Sequence, residues 1–239
     1  SEQAKEYLFA SVENELQHET AVLIKEMETK AIDKSYIRKL LLAIAGIVFV
    51  GTGVAFNAAA ALGNDPVGIV YDGIRSVANL SASQLGVASN IVNVTLMVIV
   101  FIMNRHYINI GTFIYILPYG FVVDMGGRLY RAVVDTQTQT LPVQIAGAAI
   151  GCTMLYLGVA MYITADIGLD PFTGIVMVLK DIFKKEYRIV KICFDLCCVV
   201  LGTLLGGKLG VITVITAFTA GPMIGFFADR MKKLFRMED

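Results

Sequence analysis

Apolar residues along the chain gather into long runs, and the polar breaks between the runs mark the elements. Residues 40–62 form a first run long enough to span a bilayer. After Asp65 and Pro66 comes a segment over 66–79 whose fourteen residues cover only about 21 Å of a hydrocarbon core about 30 Å thick. Ser81 with Gln84 three residues on has capping-box form, which predicts a helix through about Met103, ended by Arg105 and His106. A further span is predicted over about 108–126. Arg128, Arg131 and the polar stretch from Asp135 to Thr140 then form a linker. The plan repeats: a span over about 143–167, a short segment over 171–183, and spans over about 188–206 and 209–228. The fold class predicted is an all-α polytopic membrane protein. It has two homologous halves of four helical segments each, one short and interrupted segment per half, and an N-terminal amphipathic cytoplasmic helix.

The halves are related by a constant offset. Residues 53–66, GVAFNAAAALGNDP, and residues 158–171, GVAMYITADIGLDP, lie 105 positions apart, and seven of the fourteen positions are identical. The same offset sets Arg75 on Lys180, Asn90 on Asp195, Gly120 on Gly225, Phe121 on Phe226 and Asp124 on Asp229. Chance similarity between alanine-rich helices would not align sparse polar residues in this way. The division expected is a cytoplasmic arm over 1–39, membrane repeats over 40–131 and 143–230 joined by a polar linker over 132–142, and a cytoplasmic tail over 231–239. Counting Lys and Arg in the connections favours short segments that cross the membrane, hence parallel halves.

Composition agrees with a membrane chain: 56% of the 239 residues are hydrophobic and 17% charged, with a mean hydropathy of +0.68, too apolar for an average soluble domain. Net charge is zero, but 12 of the 40 charged residues lie in 1–34 and six more in 230–239. The arm carries apolar residues at Leu8, Val12, Leu16, Leu23 and Met27, mostly on one helical stripe. Its glutamates outnumber its lysines, which disfavours an anionic lipid surface. Lys30, Lys34, Arg38 and Lys39 before the first span set the N-terminus inside. The first apolar run begins after about forty residues without a short basic start, so it is read as an anchor and not a signal peptide. The four cysteines fall inside apolar stretches and are expected free.

Intramembrane ionisable residues are the candidates for function. Asp65 before Pro66 and Asp170 before Pro171 have the form of an N-cap followed by proline at the first helical position. A cap of this kind satisfies the exposed N–H groups and positive dipole of a broken helix, and it equally sets two carboxylates at a shared cavity. Asp195, within KICFDLCCVV, has Asn90 as its counterpart. A cavity-facing role for Asp195 competes with an ion pair to Lys191 one turn away. Asn57, Asn93 and Tyr162 line a cavity or bond neighbouring helices. Asp124 and Asp229 are gating or interfacial groups, with salt bridges to Arg128 and Arg230 the favoured reading. Small-xxx-small patterns at 147–151, 202–206 and 221–225 allow close helix packing. No Walker loop, GxSxG or HExxH is present, and His18 and His106 are isolated. The chain is therefore not expected to be an enzyme, nor to hold a cofactor or metal.

The repeated ALGNDPVG and DIGLDPFTG, each followed by a short capped helix and a span, resemble the YczE/YitT-type family of bacterial integral membrane proteins over about residues 40–230. The resemblance implies a multispanning inner-membrane location and brings no substrate or catalytic residue. The long acidic arm before residue 34 departs from that pattern. From the residues themselves, the expected function is transport of a small, cationic or amine-bearing solute, with proton or sodium coupling left open. The site is expected between the repeats, built from Asp65, Asp170, Asn90, Asp195, Asn57 and Tyr162. A half-helix N-terminus would otherwise favour an anion, but here each such end already carries its own aspartate. The competing expectation is a membrane scaffold or accessory protein that recruits a cytoplasmic partner through its arm. Partners expected are the lipid bilayer, the solute or ion and, as an open alternative, a second copy of the chain; no nucleic acid is expected.

Overall fold

The structure, a computed structural model, describes residues 36–235 apart from residue 109. The amphipathic arm and the end of the tail lie outside the described residues. The chain divides into two compact units at Leu41 and Leu42, and the second holds the first helix from Leu42 onward and every later helix. Helix α1 is Tyr36–Ala60. It is followed by α2 (Pro66–Val77), α3 (Leu85–Asn104), α4 (Ile110–Val133), α5 (Leu141–Ala165), α6 (Pro171–Phe183), α7 (Tyr187–Leu204) and α8 (Val211–Phe235). Single 3-10 turns precede and follow α3, and no strand occurs among the described residues. Four elements, Tyr36–Ala60, Ala82–Tyr107, Leu141–Ala165 and Val211–Phe235, are long and apolar enough to cross a membrane. Large apolar side chains cover the outside: Leu117, Val133, Leu204 and Phe218 are 78–81% exposed. Polar Asn57, Ser89, Asn93, Thr213 and Thr216 are buried. This inside-out distribution suits lipid and not water, and the chain is a multi-pass membrane protein.

Glycine seams fix how the helices run. A Cβ on Gly46 would stand 2.8 Å from the carbonyl oxygen of Gly158, and one on Gly53 would stand 2.6 Å from that of Gly151. Moving up α1 therefore moves down α5, and the two are antiparallel. Gly51 of α1 packs on Val122 of α4, and Gly126 of α4 packs on Thr52 and Ala55, so α1 and α4 run the same way. Helix α3 is antiparallel to α4, through Gly86 against Gly120 and Asp124. Helix α8 follows α5: Ala148 shares a cluster with Ile212, and one to two turns on, the hydroxyls of Tyr156 and Thr219 are 2.8 Å apart.

The short helices do not cross. After α1 the chain turns through Ala61 (φ 60°) and Gly63 (φ 103°). The Asn64 side chain then donates from Nδ2 to the carbonyl of Val54 at 3.4 Å, about 9 Å back down α1 from its end. From there α2 runs outward to the α7–α8 connection, where the Lys208 N–H donates to Asp72 Oδ2 at 3.0 Å. That connection lies at the end where α1 finishes, because the Ile212 N–H at the start of α8 donates to the Leu62 carbonyl at 3.1 Å.

The turn after α5 does the same at the opposite end. Helix α5 ends in Asp166 (φ 49°), and Gly168 follows (φ 154°). The hydroxyl of Thr112, at the start of α4, donates to the Leu169 carbonyl at 2.9 Å. Helix α6 runs outward to the α3–α4 connection, where Tyr107 donates to Asp181. The left-handed residues 61 and 166, the positive-φ glycines 63 and 168, and the prolines 66 and 171 that open the short helices each lie 105 positions apart.

This packing corrects the expectation of crossing short segments and parallel halves. Because α1 and α5 are antiparallel, Arg75 and Lys180 end at opposite ends of the bundle. The charge count erred because it rested on the sparse Lys and Arg of the connections, whereas the returning turns are imposed by backbone geometry at 61–64 and 166–169.

Candidate functional site

Asp65 has extended backbone (φ −61°, ψ 163°) and caps α2. Its Oδ2 accepts from the N–H groups of Val67 at 3.2 Å and Gly68 at 3.3 Å. Asn64 braces it by accepting the Asp65 N–H at 3.0 Å. Gly68 is required by that brace, since a Cβ there would stand 2.4 Å from Asn64 Cγ. Asp65 is 8% exposed, and its Oδ1 has no hydrogen-bond partner. Asp170 caps α6 in the same backbone state (φ −68°, ψ 157°). Its Oδ1 accepts from Phe172 N–H at 3.1 Å and Thr173 N–H at 3.0 Å, and its Oδ2 accepts from the Thr173 hydroxyl at 2.5 Å. Proline at the first position of each helix costs no hydrogen bond, because that N–H would be unpaired in any case.

Between the two caps lies a chain of buried aromatic rings. Phe172, two residues past Asp170, sits edge-on to Tyr71 at 5.8 Å, and Tyr71 is 6.1 Å from Tyr119. Tyr119 stacks on Tyr115 at 4.9 Å, and Tyr115 meets Tyr162 edge-on at 5.1 Å. Asp65 acts electrostatically on Tyr71 and Tyr119, and Asp170 acts on Tyr115, Tyr119 and Tyr162. Tyr71 donates to Asn93 Oδ1 at 3.3 Å, and Tyr162 to the Gly111 carbonyl at 2.9 Å. These rings fill the centre of the bundle. Of the cluster, the sequence singled out Tyr162 and Asn93. Tyr115 and Tyr119, four residues apart on one helix face, were the overlooked signal.

The remaining residues separate into bracing and paired groups. Asn90 Oδ1 accepts the Gly120 N–H at 3.1 Å, and a Cβ on Gly120 would stand 2.3 Å from the Asn90 amide nitrogen, so Asn90 ties α3 to α4. Asp195 takes the ion-pair alternative: Lys191 Nζ lies 2.5 Å from its Oδ1. The pair is not remote from the caps, because both charges act on Asp65. Asn57 is fully buried between α1 and α5. Its Oδ1 accepts from Cys152 Sγ at 3.7 Å, and its Nδ2 has no partner.

Two salt-bridge readings are corrected. Asp124 Oδ1 accepts the Gly86 N–H at 2.6 Å and forms no ion pair with Arg128 among the described residues. The buried backbone N–H at the start of α3 competes successfully for it. Arg230 lies over the Phe226 ring at 5.1 Å rather than on Asp229.

Two hollows open beside the two returning turns. One, of about 110 Å³, is lined by Asn64, Asp72, Arg75, Asp124, Arg131 and Lys208 among others. Within it Arg75 Nη2 pairs with Asp72 Oδ1 at 2.8 Å. The other, of about 290 Å³ and more open, is lined by His106, Tyr107 and residues 166–169. Tyr107 donates its phenolic proton to Asp181. The four cysteines are free, and no cluster with metal-ligating composition occurs among the described residues.

An all-helical, multi-pass membrane protein with two capped short helices inside its bundle is the class defined by this fold. The chain belongs to DUF6198, a family of unknown function, whose model matches residues 37–229. An uncharacterized protein of Haemophilus influenzae is 29% identical over 85 residues, which are 36% of this chain and 39% of that protein. Ribonuclease Y of Lachnoclostridium phytofermentans is 63% identical over 35 residues, 15% of this chain and 7% of the enzyme. The chain thus spans well under half the length of either relative. No solved structure matches.

Proposed function

We propose that the protein is a transporter of a small, cationic or amine-bearing solute, built from two inverted repeats over residues 40–131 and 143–230, with its site between them. The observation that carries this reading is the pair of aspartate-capped short helices, which start inside the bundle and run to opposite ends with the aromatic chain between them. Interrupted helices at a repeat interface are a recurrent plan of secondary transporters. The 105-residue spacing of turns, glycines, caps and prolines supports a duplication, and the antiparallel run of α1 and α5 supports its inversion. Two hollows beside equivalent turns at opposite ends suit alternating entry from the two sides.

The chemistry favours a cation. Both short-helix dipoles are already met by carboxylates, and tyrosine ring faces attract positive charge. Lys and Arg are denser at the end bearing Arg105, Lys180, Lys184, Lys185, Arg230, Lys232 and Lys233. By the positive-inside tendency that end is cytoplasmic, and α8 delivers the C-terminus to it. A bacterial inner-membrane location follows from the YczE/YitT-type resemblance. The test is purification, reconstitution and a panel of amine-bearing and quaternary-ammonium metabolites, read as thermal stabilisation and uptake. Stabilisation by a cation that is weakened in Asp170→Asn supports the reading; stabilisation only by anions overturns the charge assignment.

The second reading is a membrane scaffold or accessory protein. It draws on the buried rings packed between the two caps. A partner captured from lysate by the whole chain and lost on deleting residues 1–34, with no solute response, would favour it.

A further inference from the structure

Asp65 and Asp170 share a backbone cap but not a set of donors. Asp170 is half-buried and receives three donors, among them the Thr173 hydroxyl. Position 68, equivalent to 173 at the 105-residue offset, is glycine and offers no hydroxyl. Asp65 therefore receives two N–H groups on one oxygen only, and its other oxygen is buried without a donor. It is the one buried carboxylate among the described residues. An unpaired carboxylate oxygen taken out of water is costly unless its charge is removed or matched.

The surroundings supply no lasting countercharge. Lys191 and Asp195 on α7 act on Asp65 with opposite signs and are bound to each other. Cys198 on α7, Cys152 and Tyr156 on α5, Tyr71 on α2 and Tyr119 on α4 also lie within its electrostatic reach. All are neutral in their ordinary protonation states near neutral pH. The hollow of about 110 Å³ is lined by Asn64, the chain neighbour of Asp65, while Asp65 itself stays behind that lining.

We infer that Asp65 is the protein's proton-binding site, taking and releasing one proton on Oδ1, while Asp170 serves as a helix cap. In the step a hydronium O–H bond breaks and an Oδ1–H bond forms; the carboxylate becomes a carboxylic acid and nothing is oxidised or reduced. Oδ2 keeps accepting from Val67 and Gly68 in both states, so the cap survives the change. This deepens the transport reading by naming the coupling ion and its residue, but it is tested without any solute.

The experiment is infrared spectroscopy of the full chain in proteoliposomes, titrated in sodium-free buffer. A protonated-carboxyl band present at mildly acidic pH and lost on alkalinisation is expected. It should vanish completely in Asp65→Asn and persist in Asp170→Asn and Asp124→Asn. Should Asp65→Asn fail to fold, Asp65→Glu keeps the acid and moves the band, whereas a band from another residue stays in place. Absence of the band in the unmodified protein, its survival in Asp65→Asn, or a carboxylate signal that responds to sodium but not to pH overturns the inference. Because no uptake is measured, a chain that transports nothing leaves this outcome intact.

Discussion

The hydroxyl of Thr173 binds the second carboxylate oxygen of Asp170, one turn into the helix that Asp170 caps, and no group does this for Asp65. Thr173→Val removes the bond while keeping the shape. It should lower stability by about 1.5–3 kcal/mol, the range for hydrogen bonds to charged groups, read as a lower melting temperature in detergent. Gly68→Ala should also destabilise, for a different reason: the new methyl would displace the Asn64 amide. Equal melting temperatures for all three proteins would contradict both assignments.

The returning short helices predict sidedness. On a background lacking the native cysteines, Arg75→Cys and Lys180→Cys should react with a membrane-impermeant maleimide from opposite faces, and Lys233→Cys should label from the same face as Lys180→Cys. Labelling of positions 75 and 180 from one side would restore the parallel arrangement.

The Lys191–Asp195 pair lends itself to a double-mutant cycle. Either Lys191→Met or Asp195→Asn alone leaves one charge unmatched and should cost about 2 kcal/mol. This lies below the range for fully buried pairs, because the Lys191 side chain is 35% exposed. Combining the two should recover most of the loss. Additive losses in chemical denaturation would mean the pair contributes nothing as a pair.

Gly86 and Gly221 make a matched test of glycine packing. A Cβ at Gly86 would stand 1.8 Å from the Gly120 carbonyl oxygen, while one at Gly221 meets nothing within 4 Å. Gly86→Ala should cost about 3 kcal/mol or more, or prevent folding. Gly221→Ala should be neutral or slightly stabilising. Comparable yields of folded protein from both variants would count against the α3–α4 contact.

In the connection between α4 and α5, Asp135 accepts from Gln137 N–H at 3.0 Å and the Thr138 hydroxyl at 2.9 Å, which lower its pKa. A depressed folded pKa means the stabilisation is complete above the unfolded carboxylate pKa of about 4 and fades as pH falls through the folded value. The melting-temperature gap between wild type and Asp135→Ala should therefore narrow on acidification; a gap that widens would refute the linkage.

The element pattern was legible in sequence because spans, caps and prolines are local signals. The run of apolar residues after Lys39 gave α1, and Asp65-Pro66 and Asp170-Pro171 gave the starts of α2 and α6 to the residue. Direction was not legible. It depends on Gly46 meeting Gly158 and on Asn64 reaching Val54, contacts that carry no local pattern. The two caps were recognised as equivalent, yet what separates them is a single side chain three positions on, glycine in one and threonine in the other. The aromatic chain was missed because its tyrosines come from three regions of sequence and converge only when α2, α4 and α5 pack.

The α1–α5 seam constrains how such a molecule can move. With backbone facing backbone at Gly46, Gly53, Gly151 and Gly158, sliding by one residue would drive a side chain into a carbonyl, and separation would strand bare backbone in lipid. The seam behaves as an axle: distances between spin labels on α1 and α5 should stay fixed across pH and solute conditions, and drift there would disprove it. Any relative motion of α1 and α5 is thereby confined to directions that keep the two glycine faces together.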